Sequence, residues 1–440
     1  MNLMPYMPNV AAMQKEGTTF SSYFVTDSLC CPSRSSIFTG EFPHNTGVFK
    51  NVGPDGGYEA FNAHGNEEHT FAVALRRAGY RTAILGKYLN GYRPKIKKIP
   101  PGWTEWDVAG NGYPEFKYRL NQNGKVVQYG SSESDYLTDV LSRLGRDFIG
   151  KSGKEPFFIE IATFAPHPPF IPAPRDAQKF PGLTAPRTRA YGARPDETAP
   201  AWLKGIPPLL RTDQEAIDKF FRMRAQSVLA VDRMIGEIRA MLAAAGEYDN
   251  TYVVFSSDNG FHMGEYSLRP GKTTAFDTDV HVPLVVVGPG VQRGMVVNEI
   301  VENVDLNPTF TEIGGASAGT TPDGHSLVSL LRGTAGVWRQ MVLVEHHSRA
   351  VVDDPEDPDA QQSHSANPPT YQALRTKEAL YVEYETGETT YYDLQQDPAE
   401  LRNVVAKLPV ERRQRWHEML RANVACKGTA ACWAAQKMKP

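Results

Sequence analysis

No run of about eighteen apolar residues occurs in this sequence, so nothing in it reads as a membrane-spanning helix. The opening residues, MNLMPYMPNV, have neither a basic start nor an apolar core, and no signal peptide is read in this chain. An excess of one charge is missing too. Lys plus Arg number 47 against 50 Asp plus Glu, which gives no electrostatic case for nucleic acid or an anionic membrane as the main partner and requires any anionic substrate to be caught locally. Repeats and low-complexity tracts are absent, and 41% hydrophobic residues with 37 Gly and 33 Pro describe a loop-rich globular chain. Cysteine is scarce: four in 440 residues, as Cys30 with Cys31 and Cys426 with Cys432. The second pair closes the short loop CKGTAAC, which suits a small disulfide formed in an oxidising compartment, with two free thiols as the alternative.

What the chain does have is alternation. The helix-like TFAVALRRAG precedes YRTAILGK, and the amphipathic SDYLTDVLSRLGRDFIG precedes PFFIEIATF. The longest helix is predicted to start at Thr212, with Glu215 closing a capping box, to keep Val228, Val231, Ile235, Ile238 and Leu242 on one face, and to stop at Gly246. TYVVFSSDNG and VPLVVVGPG follow, both continuous and β-branched, as strands covered on both faces are. The fold class is therefore α/β: a mostly parallel sheet sandwiched by helices. At this length a second, smaller domain is expected. The pattern changes near residue 335, giving a domain over 1–334 and an α+β subdomain over 335–440, in which an antiparallel sheet with a hairpin turn near ETGE packs against a terminal helix. Two loops stand out, 171–211 and the segment DDPEDPDAQQSHSANPP.

In such sheets ligands bind beyond the carboxyl ends of the strands. Polar clusters follow three of the predicted strands there: GKYLNGY, APHPPF and SDNGFHMGE. A fourth polar stretch, LCCPSRSSIFTG, holds the two adjacent cysteines.

That stretch resembles the signature of the formylglycine-dependent, alkaline-phosphatase-like sulfatases, in which the cysteine of Cys-X-Pro-Ser-Arg is oxidised to formylglycine. The register places the modified residue at Cys30, with Pro32, Ser33 and Arg34 as the triplet and Thr39 and Gly40 closing the motif. GKYLNGY, PHPPF, SDNGFHMGEY, Gly271 with Lys272, HVPLVVVGPG, DLNPTF and YYDLQQDPAELRN resemble further sulfatase segments in family order, and CCPSRSS and GKYLN are most similar to the N-acetylglucosamine-6-sulfatase subgroup.

The chemistry has its own logic. A sulfate ester is an anion that repels nucleophiles, so cleavage needs cations around its oxygens, a strong oxygen nucleophile and a proton donor for the departing alcohol. A hydrated aldehyde at position 30 carries two hydroxyls on one carbon, one to bond sulfur and one to release sulfate. By resemblance, Asp258, Asn259 and the modified Cys30 hold Ca2+, Arg34 holds the aldehyde hydrate, Lys87 and Lys272 bind sulfate oxygens, His167 protonates the leaving alcohol and His262 lines the site. The implied partners are a sulfated small molecule or glycan and, during maturation, a formylglycine-generating enzyme; the full-length form is expected to be exported.

Two departures matter. Leu89 stands where many family members carry a histidine two residues beyond the lysine of Gly-Lys. The family's first strand ends in two aspartates that bind calcium, and they fall upstream of Met1; the carboxylates before Cys30 are Glu16 and Asp27 alone. The chain is therefore expected to bind calcium weakly.

Plainer readings compete. Cys30 as a small buried hydrophobe, SDNG as a turn, His167 as a strand end between prolines and Lys87 as a solvated strand end all need no chemistry. Against them stands the order of the blocks. Three functions are compatible with the residues: a sulfuric ester hydrolase, a hydrolase of phosphate or phosphonate esters on the same fold, and a non-catalytic sugar-binding relic.

Overall fold

The computed structural model describes residues 2–317, 319–348 and 364–439. Most of the predicted loop DDPEDPDAQQSHSANPP lies outside the described residues. The elements that build the site begin with α1 (Pro8–Glu16), β1 (Thr18–Phe20), α2 (Cys30–Thr39) and α3 (Phe71–Arg77). Four strands follow, β2 (Arg81–Lys87), β3 (Glu105–Ala109), β4 (Arg119–Gln122) and β5 (Lys125–Gln128), then α4 (Leu137–Ser152) and β6 (Phe157–Ala162). After the long α5 (Arg211–Ala244) come β7 (Val253–Ser256), β8 (Leu284–Val287), β9 (Met295–Val297) and α6 (Leu306–Ile313).

A five-stranded sheet runs β5-β4-β3-β2-β6, with β2 parallel to both β3 and β6. A four-stranded sheet runs β9-β1-β8-β7, in which β8 is antiparallel to β1 and β7. The run VPLVVVGPG was expected in a parallel setting. All four residues of β8 are buried, and a continuous apolar run reports that burial on both faces in either direction of travel.

Val140, Leu141 and Phe148 of α4, Val228, Val231 and Met234 of α5, and Val10 and Met13 of α1 form one apolar layer over the strands. On the opposite face Phe38 of α2 and Phe71 and Leu75 of α3 pack with Ile84 and Trp106, and Phe310 of α6 joins them. The α5 helix starts one residue before the expected Thr212. Its cap is Asp213, which accepts from the Leu210 N–H at 2.7 Å, while Glu215 pairs instead with Arg211 at 2.8 Å. With Leu210 as the N-cap residue the third helical position is Asp213 rather than Glu215, so Asp213 makes the return bond.

Toward the C-terminus β10 (Met341–His346), β11 (Tyr371–Thr376), β12 (Ala379–Tyr384) and β13 (Thr389–Asp393) form an antiparallel four-stranded sheet. Its last hairpin turns through ETGE. Trp416, Met419 and Leu420 of α7 (Val410–Val424) cover Met341, Leu343 and Leu374. Cys426 and Cys432 form a disulfide within that same cluster, leading into α8 (Thr429–Gln436).

Candidate active site

Cys30 is the first residue of α2 and is 2% exposed. A ten-residue helix directs its unsatisfied N–H groups and positive dipole end toward whatever sits at its first turn, which favours an anion there. The hydroxyl-rich composition of this buried helix is explained by local bonding: Ser35 Oγ donates to the Cys31 carbonyl at 2.8 Å, Thr39 Oγ1 to the Ser35 carbonyl at 2.8 Å, and Ser33 Oγ reaches the Asp258 carbonyl. Gly40 ends the helix at φ +76°, where a Cβ would stand 2.7 Å from Pro322. Cys31 points into the core, its thiol pushed up to about 12 by burial, so it stays protonated and unreactive.

Three cations surround Cys30. Lys272 Nζ lies 2.9 Å from its Sγ. Arg34 is pinned on several sides: Nε donates to the Tyr88 carbonyl at 2.6 Å, Nη2 to the Lys87 carbonyl at 2.9 Å and to Glu160 Oε1 at 2.8 Å, with Asp258 Oδ2 3.9 Å from Nη1. Burial opposes the charge on Arg34, and Glu160 and Asp258 more than offset it, so its pKa is raised. Lys87 ends β2, with Nζ 5.3 Å from the Tyr113 ring centre. Gly86 before it sits at φ +93°, and a Cβ there would meet the Ala162 carbonyl at 2.1 Å, so only glycine lets β2 approach β6 this closely.

His167 follows β6, its ring 4.5 Å from that of Tyr113. Nδ1 lies 2.8 Å from the Pro168 carbonyl; a carbonyl only accepts, so Nδ1 carries the hydrogen. Asp258 and Asn259 follow β7. A single cavity of about 1060 Å³ is lined by Cys30, Arg34, Lys87, His167, Asp258, Asn259 and Lys272, so seven of the residues singled out in the sequence meet at one place.

His262 is the exception. It was expected to line the site, yet it is fully buried and is absent from the cavity wall. Its Nδ1 lies 2.9 Å from Asp279, and its backbone pairs in both directions with Gly271, which sets the position of Lys272 next door. Leu89 is buried in the same apolar cluster as Tyr88 and Tyr92 and does not line the cavity.

Calcium collects about six to eight oxygens. The Asp258 carboxylate and Asn259 Oδ1, which is buried with no hydrogen-bond partner, have the right chemistry. They are too few, and among the described residues no group of three or more His, Cys, Asp or Glu side chains is placed to hold a metal. Glu16 is engaged elsewhere, with Arg239 and Tyr248. These residues alone do not make up a calcium site.

Sequence reasoning missed Glu160, whose signal was available as a lone carboxylate in the apolar run FFIEIA. It also missed Tyr113 and Arg224, which carry no local signal. Arg224 of α5 lines the cavity over the Phe261 ring at 4.8 Å, and burial lowers its pKa to about 10.

The same assembly is found in known proteins. Residues 2–316 match the family described as Sulfatase, and residues 264–424 match the one described as N-sulphoglucosamine sulphohydrolase, C-terminal. The N-acetylglucosamine-6-sulfatase of Homo sapiens is 35% identical over 454 residues, covering 97% of this chain and 82% of that protein. The extracellular sulfatase SULF-1 homolog of Drosophila melanogaster is 33% identical over 354 residues, covering 78% of this chain and 31% of that protein. A structure solved in complex with its substrate D-glucosamine-2-N,6-O-disulfate superposes with a TM-score of 0.79 at 22% identity, covering 94% of this chain and 92% of that one, a likeness of fold. With a signature cysteine at a helix start amid buried cations, and with the family match running from residue 2 to residue 316, the chain belongs to the sulfatase family of sulfuric ester hydrolases.

Proposed function

We propose that this sulfatase removes sulfate from N-acetylglucosamine-type sugars, with Cys30 converted to formylglycine. The observation that carries the reading is the 2.9 Å approach of Lys272 Nζ to Cys30 Sγ at the base of the shared cavity. The substrate class rests on the 35% identity to an N-acetylglucosamine-6-sulfatase over nearly the whole chain. A hydrated aldehyde at position 30 supplies two hydroxyls on one carbon, which lets attack on sulfur and release of sulfate occur at one residue.

The remaining chemistry falls to the chain's own side chains. Lys272 stabilises negative charge on the group at position 30, and the N-terminus of α2 adds to that field. Arg34, held rigidly by two carbonyls and Glu160, orients that group. Lys87, fixed at the end of β2, takes a sulfate oxygen. His167, with Nδ1 committed to Pro168, delivers a proton from Nε2 to the leaving alcohol. One water is consumed for each alcohol and sulfate released. Export fits the Cys426–Cys432 disulfide, a bond that persists in oxidising compartments.

Production alongside a formylglycine-generating enzyme tests the assignment. The peptide containing Cys30 is expected to be about 18 Da lighter than its thiol form, and Cys31→Ala is still converted. Conversion at Cys31, or none in the unchanged chain, overturns it.

A further inference from the structure

Lys272 stands beside strained backbone. Thr273, the next residue, adopts φ +86°, in the left-handed region that a β-branched side chain rarely enters. Such a conformation is costly, and it persists only where the surrounding contacts over-determine it. Those contacts lie on both flanks of the lysine. Before it, the Gly271 backbone pairs in both directions with that of His262, at 2.9 Å and 3.1 Å. After it, Thr274 gives its N–H to Asp279 Oδ2 at 3.1 Å and its hydroxyl to the same oxygen at 2.7 Å. Thr273 is held in between: its carbonyl accepts the Tyr371 hydroxyl of β11 at 3.1 Å, and its own hydroxyl donates to the Ala366 carbonyl at 3.3 Å.

Both flanks lead to one carboxylate. The His262 ring has Nδ1 3.0 Å from Asp279 Oδ1 and 2.9 Å from Oδ2, and a carboxylate accepts, so Nδ1 donates. Three donors therefore meet at Asp279: the His262 Nδ1–H, the Thr274 N–H and the Thr274 hydroxyl. Asp279, His262 and Thr274 are 0%, 0% and 1% exposed, so a bond lost here leaves a buried polar group unpaired. Two further bonds tie the cluster to the rest of the site. The Asp279 carbonyl accepts the Gly260 N–H at 2.8 Å, next to Asn259, and Ser28 Oγ, two residues before Cys30, donates to the Thr274 carbonyl at 2.8 Å. None of Asp279, His262 and Thr274 lines the cavity. They reach the chemistry through Lys272, whose Nζ is 2.9 Å from Cys30 Sγ.

We propose that Asp279 is a positioning residue of this site: it clamps both flanks of Lys272, holds Thr273 in its strained conformation, and so keeps the Lys272 ammonium against the group at position 30. A lysine carries its charge on a flexible four-carbon stem, and only a fixed backbone makes one placement of the ammonium persist. When the clamp is released, Thr273 returns to negative φ, the peptide planes beside it turn, and Lys272 leaves Cys30 while the fold around it stays intact. A carboxylate that only stabilised the fold would leave the ammonium in place. Nothing in this role depends on which ester is cleaved.

The unconverted thiol form supplies a readout that needs no ester. An ammonium beside a thiol favours the thiolate, the form that iodoacetamide alkylates, by roughly tenfold or more. The rate of Cys30 alkylation, followed by mass spectrometry at neutral pH, therefore reports where Lys272 sits, and Lys272→Met gives the rate with the ammonium gone. Asp279→Asn places an amide N–H among three donors and is expected to slow alkylation by about tenfold, toward the Lys272→Met rate. Thr274→Val removes one hydroxyl bond and is expected to fall between, while Thr274→Ser matches the parent. Cys31, held protonated by burial, checks the fold: it stays unlabelled wherever its core is intact. Adding Thr273→Gly to Asp279→Asn is expected to recover much of the lost rate, because glycine adopts φ +86° without strain. Unchanged or faster labelling of Cys30 in both Asp279→Asn and Thr274→Val, with Cys31 protected, overturns the proposal. Slow labelling that Thr273→Gly leaves uncorrected overturns the restraint on Thr273. A chain that cleaves no sugar sulfate still gives the labelling result, so this proposal and the function proposed above fail separately.

Discussion

His167 can pass a proton only through Nε2, since Nδ1 is committed to the Pro168 carbonyl. Such help matters most when the departing alcohol is a poor leaving group, and general acid catalysis contributes roughly a hundredfold to ten-thousandfold. His167→Ala is therefore expected to slow hydrolysis of a sugar sulfate by about that factor and an activated aryl sulfate far less, as steady-state rates on both would show. Equal losses on the two esters would remove His167 from this role. Cys30, Arg34, Lys87, Asp258, Asn259 and Lys272 were legible because each sits in a short block whose residue types are improbable in a core. Glu160 and Tyr113 were not singled out, since what they do depends on Arg34 and Lys87, which lie far from them in the chain. His262 was misplaced for a related reason. Its block reads as site chemistry, but Asp279 draws the ring inward and leaves Lys272 to face the cavity.

At the scale of elements, α4 shows how a helix can be capped from a distance. Tyr136 precedes it and offers no side-chain cap. Glu115 does the work instead: its Oε2 accepts from the Thr138 N–H at 3.0 Å and the Thr138 hydroxyl at 2.9 Å, and its backbone carbonyl takes the Leu137 N–H. Burial raises the Glu115 carboxyl from 4.5 to about 7. A carboxyl raised in the folded state contributes stability that is fully present below about pH 4.5 and is lost as pH climbs through 7. Glu115→Gln keeps an acceptor and removes the titration. Urea melts are expected to show little pH dependence in the difference from the parent below pH 4.5, and a relative gain of roughly 3 kcal/mol for the variant at pH 8. A difference that does not change with pH would contradict this. Periodicity located α4, α5, β6 and β7 within a few residues, because burial imprints itself on local pattern. Strand direction in β8 and the capping of α4 were hidden, since both are set by neighbours distant in the chain.

Contacts between residues far apart in the chain converge on the site. Arg34 links a helix to both sheets, bonding the end of β2, β6 and the loop after β7. Lys272 arrives by the bridge between His262 and Gly271. The order of motif blocks along the chain made this convergence readable before any coordinates. Cys30 is proposed as the nucleophilic position of an enzyme that prefers sulfate esters. The direct test is turnover of matched aryl sulfate, phosphate and phosphonate esters by formylglycine-bearing protein and by its Cys30→Ala form, measured on one preparation of each. Sulfate is expected to be cleaved fastest by the converted protein, and Cys30→Ala is expected to abolish the reaction. Faster cleavage of phosphate or phosphonate, or sulfate turnover that survives Cys30→Ala, would contradict it.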